Sequence, residues 1–201
     1  MQTPFQLYDY FKISIIEDNL ENVTKRMNDL LSDYRFTKTR LSGADFKKVC
    51  STRSLSYSPR KIKFILFEPS TCLGSTVFFE NSTDGWYTAV YNYTRLNRKN
   101  SFRAGFTMNE TSKYPAYFFN YIYTVKGNIR ERTVQAIKED NWIFYAEGKL
   151  LAIEEPANYS NKRIKDRINN DIILGYLKKA GYDLTNPTFF KTNKKAVLFS
   201  K

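Results

Sequence analysis

Between residues 102 and 146 the chain runs through four β-rich stretches separated only by short turn signals, and this spacing limits its folding options more than any other feature. The stretches are 102–107, 116–123, 129–137 and 142–146. Aromatic and β-branched residues recur in them, the types that fit a pleated, half-buried surface. Val125-Lys-Gly-Asn128 reads as a hairpin turn between the second and third, and Glu139-Asp-Asn141 as another short turn before the fourth. Neighbouring runs joined so tightly pair antiparallel, so a meander of about four strands is expected over 102–146.

Elsewhere the apolar period switches to that of a helix. Leu20, Val23, Met27, Leu30, Leu31 and Tyr34 recur at helical spacing behind Asp18 or Asn19 as N-cap. Ile172, Ile173, Tyr176 and Leu177 line one face of a second helix. It is capped by Asn169 or Asn170, carries Lys178 and Lys179 in its last turn, and stops at Gly181. Trp86, Ala89, Val90 and Tyr93 mark a third over about 85–96, with cap residues in 81–84. Short helices are expected near 43–50 and within 156–168, and the rest of 35–60 reads as irregular. Runs 10–16, 61–67, 75–80, 188–190 and 195–199 read as further strands. The expected architecture is α+β: an antiparallel sheet of about four to six strands with three or four helices packed on it, in a single domain over 1–201.

The 201 residues hold 32 Lys and Arg against 20 Asp and Glu, a net charge of +12, and no histidine. Without imidazole the chain by itself cannot build His-dependent triads, papain-like dyads, His-ligated zinc sites or axial-His haem sites. It also lacks a Gly-rich phosphate loop. The adjacent acidic pairs Glu17-Asp18, Glu139-Asp140 and Glu154-Glu155 would point to opposite faces of a strand, which makes poor acid/base couples. The expectation is a non-enzyme with no cofactor, no metal and no catalytic residue. The first residues offer no continuous apolar signal segment and no run of eighteen apolar residues follows, so a cytoplasmic protein without a membrane partner is expected. Cys50 and Cys72 are then expected as reduced thiols.

A surplus of positive charge attracts an acidic protein surface or a polyanion. The densest constellation is Tyr159, Lys162, Arg163, Lys165 and Arg167, joined by Arg95, Arg98 and Lys99 at the end of the third helix. These eight are the candidate partner-binding residues, because Arg presents bidentate donors to carboxylate or phosphate. The competing reading is a solvated helix with local ion pairs to Glu154, Glu155 or Asp166. Trp86 reads as a core anchor, or as an interface residue if exposed. The aromatics of 117–123 beside Lys126, Arg130 and Arg132 read as sheet packing, since no RNA-recognition strand motif accompanies them.

Three segments carry a likeness: Thr76-Val-Phe-Phe-Glu-Asn81 with Asp84-Gly-Trp86, Trp142-Ile-Phe-Tyr-Ala-Glu-Gly-Lys149 with Glu154, and Tyr159 with Lys162-Arg-Ile-Lys-Asp-Arg167 and the helix after it. Over roughly residues 76–180 the chain resembles a group of uncharacterised bacterial proteins. The resemblance implies no established activity, cofactor or catalytic residue. Small bacterial proteins of this kind often bind another protein, for instance as immunity partners of secreted toxins. The function expected is a bacterial protein-binding protein of that type, acting on an acidic partner through a basic surface. The alternative is nucleic-acid binding through the same surface.

Overall fold

The computed structural model describes residues 3–53, 61–82, 86–109 and 111–201. Its strands are β1 (Tyr10–Ile16), β2 (Thr37–Leu41), β3 (Lys63–Phe67), β4 (Thr76–Glu80), β5 (Ser101–Thr107), β6 (Ala116–Val125), β7 (Asn128–Lys138), β8 (Trp142–Glu147) and β9 (Ala196–Ser200). The helices are α1 (Leu20–Leu30), α2 (Phe46–Val49), α3 (Tyr87–Asn97) and α4 (Asn170–Lys179).

All nine strands join one antiparallel sheet in the order β2-β9-β3-β4-β1-β5-β6-β7-β8. The α+β class is as expected, but among the described residues nine strands replace the expected four to six. The reason is that β1 pairs with β5 on one side and β4 on the other, so the meander β5–β8 continues into a second half. In the turn between β6 and β7, Lys126 and Gly127 take φ of 48° and 80°, the left-handed pair that a two-residue hairpin needs.

Period-two alternation splits the apolar residues between the two faces. Phe11, Ile13 and Ile15 of β1 join Phe79, Phe119 and Val134 in the core beneath α2 and α4. Ile16, Phe64, Leu66, Phe78, Val197 and Phe199 face the other way. There they meet Val23 and Met27 of α1 and Val90 and Tyr93 of α3. Asn19 caps α1 by accepting the Asn22 N–H at 2.9 Å, and Asn169 caps α4 by accepting the Ile172 N–H at 3.1 Å. The cap residues expected at 83–84 lie outside the described residues. Trp86 is half-buried, packed on Tyr34, Phe36 and Phe64.

Three local expectations are corrected. Thr37–Leu41 is not irregular but strand β2, because it pairs along its length with β9. Residues 188–190 are no strand: Pro187–Phe190 is a 3-10 helix, with Pro187 in its first turn and the Asn186 side chain accepting the Thr188 N–H at 2.9 Å. The stretch 156–168 holds two 3-10 turns, Pro156–Ser160 and Ile164–Asp166, instead of one helix. Cys50 and Cys72 form no disulfide with each other. Among the described residues no helix is long and apolar enough to cross a membrane.

Candidate functional site

The centre of the α1–α3 face carries an ionic cluster that first invites attention. Lys12 of β1 pairs with Glu80 of β4, both almost fully buried. The Arg103 guanidinium of β5 lies 4.7 Å from the Tyr87 ring centroid and 5.5 Å from that of Phe118, and the Tyr87 hydroxyl donates to Glu131 at 2.6 Å. The gap beside these groups measures only about 10 Å³, room for a single water. This cluster satisfies charges beneath α3 and leaves no space for a ligand.

The eight residues expected from sequence fall into two sets on opposite faces of the sheet. On the α2–α4 face, Glu154 anchors the segment that carries Tyr159 and its neighbours. Its carboxylate takes Arg132 Nη2 at 2.7 Å, the Leu151 N–H at 2.8 Å and the Tyr159 hydroxyl. Burial, reinforced by the hydrogen bond to Glu154, pushes the Tyr159 phenol far above its ordinary value, which keeps it a neutral donor. Arg167 lies over the Phe144 ring at 5.3 Å and donates to the Asn161 carbonyl at 2.7 Å. Arg163 pairs with Asp166 at 2.6 Å, while Lys162 and Lys165 are exposed. Tyr159 and Arg167 thus hold the segment to the sheet, and the local ion pairing weighed against a binding patch is present.

On the α1–α3 face, Arg95 and Arg98 are exposed at the end of α3, and Lys99 reaches Asp18 at 3.6 Å. The sheet separates this set from 159–167, so the two do not form one surface. Asp18 itself is closely held. Burial opposes its charge, but hydrogen bonds from Asn22, Tyr93 and the Asn19 N–H, with Lys99 nearby, keep its carboxyl below the usual range.

A far roomier concave feature lies elsewhere, a groove of about 660 Å³ between α1 and the β2–β9 end of the sheet. Its cations are Lys25 from α1, Lys38 and Arg40 from β2, and Lys194 and Lys195 just before β9. Lys194 is committed to the buried Glu68 carboxylate at 2.8 Å. Lys25, Lys38, Arg40 and Lys195 are exposed and form no ion pair among the described residues. Glu21 and Asp29 of α1 stand on the same wall, and no aromatic side chain lines the groove among the described residues.

The sequence reading missed this groove because its cations come from three separate stretches, none dense alone. The visible signal was the alternation Thr37-Lys-Thr-Arg-Leu41, which puts Lys38 and Arg40 on one side of an extended chain. Among the described residues no group of three or more Cys, Asp or Glu is placed to hold a metal ion. Comparison with known proteins gave no matching family model, no matching curated protein and no matching solved structure.

Proposed function

We propose that this protein is a non-enzymatic binding protein whose partner is an acidic polypeptide, held in the groove between α1 and the β2–β9 end of the sheet. The observation that carries this reading is the set of four exposed cations, Lys25, Lys38, Arg40 and Lys195, which gather around one open groove and form no ion pair among the described residues, outnumbering Glu21 and Asp29 on its wall. Cations arranged this way steer an oppositely charged partner and fix its register. One feature favours a polypeptide over a nucleic acid: among the described residues the groove has no ring on which bases could stack. A toxin or effector domain with an acidic surface is the kind of partner that fits, in line with the immunity-type role expected by analogy with small bacterial proteins.

The test is a fluorescence-anisotropy titration with a labelled glutamate-rich peptide and, separately, a single-stranded oligonucleotide of equal charge. Lys38→Glu with Arg40→Glu is expected to abolish peptide binding. Arg163→Glu with Lys165→Glu, an identical change in net charge on the far face, is expected to spare it. Equal losses in both double variants would mean that only the overall charge matters, and the groove would be wrong. Tighter binding of the oligonucleotide, with log affinity falling linearly in log salt, would replace this reading by nucleic-acid binding.

A further inference from the structure

We infer that the acidic partner segment binds as an added strand along the open edge of β2, extending the sheet; this rests on the groove reading above. The hydrogen-bond phase of the edge strand follows from one contact. The Lys201 N–H donates to the Ile62 carbonyl at 3.0 Å, continuing the β3–β9 ladder. Backbone groups of successive residues point to alternate sides of a strand, so Phe199 and Val197 also bond toward β3 while Ser200, Leu198 and Ala196 bond toward β2. Their partners in the register are Thr37, Thr39 and Leu41. The N–H and C=O groups of Lys38 and Arg40 therefore point away from the sheet, at an edge where both residues are exposed.

The same two residues thus supply both kinds of recognition. Their main-chain groups offer donors and acceptors to an extended peptide, and their side chains stand on the α1–α3 face at the groove. An added strand with carboxylates at alternate positions sets them all on that face, within reach of Lys38 and Arg40. Pairing by strand addition takes affinity from main-chain bonds and specificity from alternate side chains. A charged edge also prevents unwanted pairing. A second copy of β2 would bring Lys and Arg against Lys and Arg, so the charges that exclude self-association select an acidic strand.

The experiment uses the intact protein and a labelled peptide of about ten residues alternating Glu with Val or Thr, long enough to span an ordinary strand. A second peptide of identical sequence is N-methylated at alternate residues along one edge, and a third along the other. Charge is unchanged throughout. One N-methylated series is expected to bind about tenfold more weakly or worse, because its strand-edge donors are lost, while the other keeps its affinity. Lys38→Pro, which removes the charge and an outward N–H without touching the β2–β9 ladder, is expected to bind more weakly than Lys38→Ala, which loses the same charge but keeps the N–H. Equal affinity of all three peptides overturns strand addition but leaves the groove reading standing. No binding of the unmodified peptide at low salt overturns both.

Discussion

Replacing Arg132 by Met tests how the segment from 148 to 167 is fastened to the sheet. The Arg132 and Glu154 side chains are 4% and 0% exposed. Arg132 Nε lies 3.0 and 3.1 Å from the two carboxylate oxygens and Nη2 lies 2.7 Å from one of them. Nη1 donates to the Glu147 and Gly148 carbonyls at 3.0 and 3.3 Å. Gly148 itself approaches closely: with φ of 87°, a Cβ there would sit 2.2 Å from the Glu131 carbonyl oxygen. Burial works against the guanidinium charge, but the bonds to Glu154 outweigh it and raise the affinity for the proton. Arg132→Met keeps the apolar stem and deletes every polar contact, leaving the carboxylate with only the Leu151 N–H and the Tyr159 hydroxyl. Breaking a buried pair from one side costs about 3–5 kcal/mol, more than the whole worth of a surface ion pair. In a chain of this length that corresponds to a fall in Tm of roughly 6–20 °C. Equilibrium urea denaturation of Arg132→Met, Glu154→Leu and the double variant gives the coupling energy. Pairing in a dry site predicts about 2 kcal/mol or more, with the double variant less destabilised than the two singles added together. A loss under about 1 kcal/mol for Arg132→Met would show that water reaches the carboxylate, and the fastening argument would fail.

Two further outcomes follow from local geometry. The Asp18 carboxyl is held below its ordinary value in the folded state, so its contribution to stability is present above the unfolded-state pKa of about 3.9 and is lost as pH falls through the folded one. Asp18→Asn is therefore expected to be destabilised at neutral pH, with the gap from the parent chain closing under acid conditions; denaturation midpoints showing a gap independent of pH would contradict this. Lys126 occupies a left-handed position that Asn tolerates better, so Lys126→Asn is expected to stabilise the β6–β7 hairpin by about 0.5 kcal/mol, and an unchanged or lower Tm would contradict it.

The elements legible in the sequence were those whose pattern is written locally. Asn19 and α1 carry their own cap and apolar stripe, and the strands of β5–β8 are tied by turns that declare themselves, Lys126-Gly127 above all. Strand β2 was hidden because Thr37, Lys38, Thr39 and Arg40 are all exposed; with no apolar side to alternate, nothing but its distant partner makes it a strand. The size of the sheet was hidden for a related reason, since pairings such as β1 with β4 and β5 join residues far apart in the chain. The basic character was plain from the count of Lys and Arg, but not its placement: Arg163 and Arg95 look equally available in sequence, yet the sheet stands between them. Lys25, Lys38 and Lys195 converge only once β9 lies beside β2.

That last juxtaposition governs when the groove comes into being. β9 is wedged between β2 and β3, and Thr37 meets Ser200 across 163 residues of chain. On the ribosome β2 must wait, unzipped and solvent-bathed, until every other strand has been made. Loop-closure entropy of this kind slows folding. The groove is thus complete only after β9 has paired, and a nascent chain already carrying its central strands would still lack the partner site proposed for it.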